Sequence, residues 1–78
     1  MRLREATLLV DALASSPVPI TFNALRLRAS IPIDTAEDVM HDLLEARIVS
    51  RTQTGCFALA SPRDAIGEQD LRNAMGAD

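Results

Sequence analysis

The sequence predicts a mainly α domain carrying a small antiparallel β-hairpin: a three-helix core, the hairpin, and a short C-terminal helix. Three observations lead there. Apolar residues recur at three- and four-residue steps through successive stretches separated by prolines. The period then shifts to strand-like alternation around a glycine-containing turn, and a last short helical stretch ends at glycine. Seventy-eight residues support one core, so a single domain over 1–78 is expected.

In the first segment, Met1 to Ser15, the apolar residues Leu3, Ala6, Leu9, Val10, Leu13 and Ala14 recur at helical spacing, while Arg2, Arg4, Glu5 and Asp11 fall mainly elsewhere. The helix stops at Ser15-Ser16-Pro17-Val18-Pro19, because the prolines remove donors and push the preceding residues into extended backbone. Thr21 stands where an N-cap belongs, with Ile20 and Leu25 at the spacing of a hydrophobic staple. A second helix is expected over Phe22 to Ala29, ended by Ser30-Ile31-Pro32.

Asp34 is expected to open the third helix, with Glu37 three positions on as its capping-box partner and the helix continuing from Thr35 to Ala46. Ala36, Val39, Met40, Leu43 and Leu44 form its apolar stripe. Ile48 to Thr52 and Cys56 to Ala60 read as two strands around Gln53-Thr54-Gly55. Phe57 and Leu59 then share the core-facing side, and Cys56 and Ala58 the other. After the turn Ser61-Pro62-Arg63-Asp64, Ile66 and Leu71 repeat the staple spacing around Gly67, and a last helix is expected over Glu68 to Met75, closed by Gly76.

Composition excludes several classes of function. The only aromatic residues are Phe22 and Phe57, so the core is aliphatic, and no apolar run approaches the roughly 18 residues of a membrane span. Charges in the first segment spoil a signal peptide, which makes a cytoplasmic location the expectation. One cysteine, Cys56, and one histidine, His41, supply no metal-ligand set, so neither metal nor cofactor is expected. All eight basic residues are arginine and eleven residues are acidic, a net charge of −3. Phosphate-backbone binding draws on clustered positive charge, and this balance opposes it.

The stretch from Ile20 to Leu59 resembles the winged helix-turn-helix superfamily. Ile20-Thr21-Phe22 looks like the start of its second helix, and Leu25 is placed like that helix's core leucine. Ile31 fits the inter-helix turn, and Ala36, Met40 and Leu43 match buried positions of the third helix. Leu44-Glu45-Ala46-Arg47-Ile48-Val49 is similar to the frequent "LEEAGLV" passage into the wing. Over the whole chain, Gly55-Cys56-Phe57-Ala58-Leu59-Ala60 with the following short helix resembles two subfamilies. One is the IscR-like transcription regulators, whose cluster cysteines and long dimerisation helix this chain lacks. The other is the cytosolic C-terminal domain of YihY or ribonuclease BN-like membrane proteins. Arg26 stands where a small residue usually lets helices two and three approach. Arg47 replaces the glycine that usually ends helix three, which implies a differently shaped exit or local strain.

In a DNA-binding member, the exposed half of helix three enters the major groove. Here its residues are Asp34, Thr35, Glu37, Asp38, His41 and Asp42, and from Asp34 to Ala46 there are five acids and no arginine. The plain reading is a solvated helix face; the functional one is an acidic surface docking a basic protein partner. Arg26 and Arg28, with Arg2 and Arg4, are the basic pairs, expected to bond Glu5, Asp38 or Asp42 on neighbouring helices. No nucleophile pairs with His41 by spacing, and the Asp38 and Asp42 carboxylates lack converging polar neighbours, so catalysis is not expected.

The sequence thus favours a non-catalytic interaction or regulatory module, a cytosolic domain of a larger bacterial protein, docking a partner through the helix-three face. The alternative is a transcriptional regulator's DNA-binding domain, with Arg26, Arg28, Thr35 and Arg51 as its nucleic-acid contacts. The short edge hairpin leaves room for a weak homodimer.

Overall fold

A computed structural model describes residues 2–76. Met1, included in the expected first helical segment, and Ala77 and Asp78, included in the expected domain, lie outside the described residues. The elements run α1 (Leu3–Ala14), α2 (Phe22–Ala29), α3 (Ile33–Glu45), β1 (Val49–Arg51), β2 (Phe57–Leu59), a 3₁₀ turn over Arg63–Ala65, and α4 (Glu68–Ala74). This is the mainly α, hairpin-bearing winged-helix order that the sequence predicts.

Helix α1 stops as Ser15 bonds back to the Asp11 carbonyl and Ser16 to that of Leu13. The chain then crosses Pro17-Val18-Pro19 in irregular backbone. At the head of α2 the Ala24 N–H donates to Thr21 Oγ1 at 3.2 Å, the expected N-cap. Helix α3 departs from expectation. Its N-cap is Pro32, no side chain caps it, and it begins at Ile33. Asp34 therefore lies inside the first turn and Glu37 beyond it, so the two form no capping box. Proline holds the φ of −58° that leads into the helix, and the Ala36 N–H bonds the Pro32 carbonyl at 2.9 Å. Asp34 keeps only its favourable placement near the positive end of the helix dipole.

Strands β1 and β2 pair antiparallel, Val49 opposite Leu59, Ser50 opposite Ala58 and Arg51 opposite Phe57. The turn closes as Thr52 donates to the Cys56 carbonyl at 2.8 Å, while Gly55 takes φ +83°. Phe57 is buried, but Leu59 is only half-buried, as are Cys56 and Ala58. The expected alternation thus holds at Phe57 and blurs beyond it. A feature with no sequence signal joins the hairpin to the helices: Ile20 and Phe57 form an isolated antiparallel bridge with reciprocal N–H to carbonyl bonds of 3.1 and 2.7 Å.

Helix α4 is N-capped by Gly67, whose N–H donates to the Asp70 carboxylate at 2.9 Å, with Ile66 and Leu71 both buried. One cluster of sixteen buried apolar residues drawn from all four helices, both strands and the connecting turns forms the core. Among the described residues, no buried side chain is polar or charged. No helix among them is long and apolar enough to cross a membrane.

Candidate functional site

Burying Ala36, Val39, Met40 and Leu43 against the core turns the opposite side of α3 outward, and the acids of this helix occupy it. Asp34, Glu37, Asp38 and His41 are exposed; Thr35 and Asp42 are half-buried. Two of the five acids are paired. Arg2 reaches from the chain start to Asp38 at 2.9 Å, one of the partners expected for the basic pairs. His41 Nε2 lies 2.9 Å from the Glu45 carboxylate one turn away. Asp34, Glu37 and Asp42 enter no ion pair among the described residues. The outward face of α3 therefore carries unneutralised negative charge.

The candidate basic contacts sit on two elements. Arg28, on α2, is exposed, and Arg51 is exposed at the end of β1. Arg26 is half-buried, and its Nε is enclosed without a hydrogen-bond partner. None of the three forms an ion pair among the described residues, contrary to the carboxylate pairing expected for Arg26 and Arg28. Arg51 instead lies over the Phe57 ring, 5.4 Å from guanidinium carbon to ring centroid, a cation–π arrangement that holds it beside the groove below.

Between α3, the start of α2 and the wing runs a groove of about 470 Å³, which sequence reasoning missed. Its walls include Phe22, Met40, Leu44 and Phe57, with Glu37, His41 and Arg51 at the rim. Phe22 meets Phe57 edge to face, centroids 6.4 Å apart at 67°, which fixes the floor. Glu37 and Leu44 lie on the same side of α3 at a seven-residue spacing. That spacing was visible in the sequence; the aromatic pair closing the other side was not, since Phe22 and Phe57 come from distant segments.

Among the described residues, no group of three or more His, Cys, Asp or Glu side chains is placed to hold a metal ion. Cys56 is half-buried, its N–H donating to Thr52 Oγ1 at 3.1 Å. Arg63 ties the turn before α4 to α1 through Asp11 at 2.8 Å and caps the Ile66 carbonyl at 2.7 Å. That role is positional.

No family model and no curated protein matches the sequence. Among solved structures, the chain is similar to CymR (YrzC), the global cysteine regulator of B. subtilis. The TM-score is 0.81 at 17% identity, over 97% of this chain and 61% of the regulator. The chain thus spans less than two thirds of that regulator's length. The likeness shows the fold, a winged helix. The resemblance to the membrane-protein tails finds no support in it.

Proposed function

We propose that this chain is a non-catalytic winged-helix domain of a transcriptional regulator, cytoplasmic, and that it binds DNA. The observation that carries the reading is the likeness of nearly the whole chain to a solved regulator, with α3 beside the wing in the position of a recognition helix. This shifts the weight from the partner-docking role toward the DNA-binding alternative. Arg28 and Arg51, unspent on carboxylates, supply phosphate contacts on either side of α3, and Arg26 adds a third if its guanidinium swings outward. Thr35 and the α3 carboxylates face the bases. A carboxylate in the major groove accepts from the cytosine N4 amino group, so an acidic recognition helix is restricted to cytosine-rich steps rather than silent.

Few cations and many acids make the binding weak and steeply dependent on the arginines. With three phosphate contacts, the slope of log affinity against log salt is expected to be about −2.7. Titrating a fluorescein-labelled duplex at low salt, followed by anisotropy, measures it. Arg28→Ala and Arg51→Ala each reduce the slope by about one. Absence of binding by the wild type at low salt and high protein concentration sinks the DNA reading.

A second reading rests on the unpaired Asp34, Glu37 and Asp42: an acidic face for a basic protein partner. It gains ground if DNA fails to bind.

A further inference from the structure

The base edges of the major groove ask for different partners. Guanine presents acceptors, read by arginine or lysine; adenine presents an acceptor beside a donor, read by asparagine or glutamine; cytosine presents an amino donor and thymine a methyl group. Helix α3 contains no arginine, lysine, asparagine or glutamine, so it holds neither of the purine pairings. Its remaining donors do not replace them: the Thr35 hydroxyl is a single group, and His41 Nε2 lies 2.9 Å from the Glu45 carboxylate. Both pyrimidine pairings are present. Glu37 is exposed and enters no ion pair among the described residues, which leaves its carboxylate to accept from a cytosine amino group. Ile33 is 48% exposed, whereas Val39, Met40 and Leu43 are buried in the core and Leu44 is half-buried. It is the aliphatic side chain that α3 offers to a methyl group.

Their placement suits the pairing. Ile33 is the first residue of α3, and the N-terminal residues of a recognition helix are the ones that meet base edges. Glu37 follows one turn later, roughly 6 Å along the axis and about 40° around it. Successive bases on one strand are about 3.4 Å apart, so the two side chains meet bases one or two steps apart. Glu37 also shares the groove beside the wing with Arg51, one of the arginines assigned to phosphate.

We propose, on the footing of the DNA reading, that α3 reads pyrimidines: Ile33 packs on the C5 methyl of a thymine, and Glu37 accepts from the N4 amino group of a cytosine one or two steps along the same strand. The preferred duplex carries a run of mixed thymine and cytosine on one strand. Guanine at either place sets its acceptors against a carboxylate or an isoleucine, with no donor to bond them, and is selected against. The methyl contact buries one methyl-sized group at the interface, worth about fourfold in affinity.

Uracil in place of thymine removes the methyl and keeps every hydrogen bond, so it isolates the contact. Anisotropy titrations of the purified chain at low salt compare a fluorescein-labelled duplex with a thymine and cytosine run, its uracil counterpart, and a duplex with adenine replacing the cytosines. The wild type is expected to bind the thymine duplex about fourfold more tightly than the uracil one. Ile33→Ala is expected to bind the two alike, which assigns the effect to this side chain rather than to the shape of the DNA. Glu37→Gln supplies the adenine pairing and is expected to move the preference from cytosine toward adenine. Ile33 and Glu37 lie outside the core, so both variants keep the fold, which circular dichroism verifies. Equal binding of the thymine and uracil duplexes by the wild type overturns the proposal and leaves the DNA reading standing. So does a uracil penalty that persists in Ile33→Ala, or a cytosine preference unchanged in Glu37→Gln. Absence of binding to every duplex at high protein concentration removes the DNA reading, and the pyrimidine preference with it.

Discussion

Ser30 and Arg47 both take left-handed backbone, φ +58° and +62°, although neither is glycine. Each ends a helix in the same way. After α2, Ile31 donates to the Arg26 carbonyl at 3.0 Å and Ser30 to that of Leu27 at 3.2 Å; after α3, Ile48 donates to Leu43 at 3.0 Å and Arg47 to Leu44 at 3.1 Å. This paired pattern is the Schellman motif, with its left-handed position filled by serine and by arginine. Of the two outcomes the sequence allowed at Arg47, the chain therefore keeps the usual exit and bears the strain. A residue with a Cβ is disfavoured there by about 1–2 kcal/mol, and glycine gives back part of that through its freer unfolded chain. Arg47→Gly is thus expected to stabilise by roughly 0.5–1 kcal/mol, raising the melting temperature by about 3–6 °C. Thermal unfolding followed at 222 nm measures this. A fall in melting temperature would mean the arginine side chain holds the exit in some other way.

Among elements, the hairpin is the one whose attachment to the body most needs explaining, because three-residue strands have little stability of their own. Phe57 supplies the attachment three times over: it is 6% exposed in the core, its ring meets Phe22 edge to face, and its backbone exchanges both bonds with Ile20. Phe57→Ala removes a buried ring at a cost of about 3–5 kcal/mol, against a total of roughly 4–12 kcal/mol for a domain of this length. Urea unfolding should show a large drop in midpoint with one cooperative transition. A cost under about 1 kcal/mol would make the wing a detachable appendage. The sequence already disclosed the helices, the hairpin and Phe57 as a core residue, because period and turn chemistry are local. It misplaced the start of α3, since Asp34 and Glu37 satisfy the capping-box spacing while the preceding Pro32, through its fixed φ, takes the cap position. The Ile20 bridge and the Phe22 and Phe57 groove lie between residues far apart in the chain, where spacing carries no signal. The acidic character of α3 was legible, but which acids stay unpaired was decided by tertiary contacts.

Charge belongs to the whole molecule, since a long approaching polyanion meets the summed field before any single contact. The chain carries −3, and three acids of α3, Asp34, Glu37 and Asp42, stand outside every ion pair among the described residues. If DNA binding is limited by this repulsion rather than by fold, neutralising those three residues should raise affinity without adding any contact. The variant Asp34→Asn/Glu37→Gln/Asp42→Asn brings the formal charge from −3 to 0, and its nonspecific affinity for duplex DNA at low salt should rise by about tenfold. The gain should shrink as salt is added, because screening over a Debye length of about 10 Å at 0.1 M removes repulsion from exposed charges. All three residues are exposed or half-buried, and the only structural cost expected is the lost favourable interaction of Asp34 with the helix dipole, about 0.3–1 kcal/mol. Affinity that falls at every salt concentration would show these carboxylates making attractive contacts to bases, the role that cytosine amino groups allow. Affinity that does not respond to the variant or to salt would move binding off this face altogether and leave α3 to a protein partner.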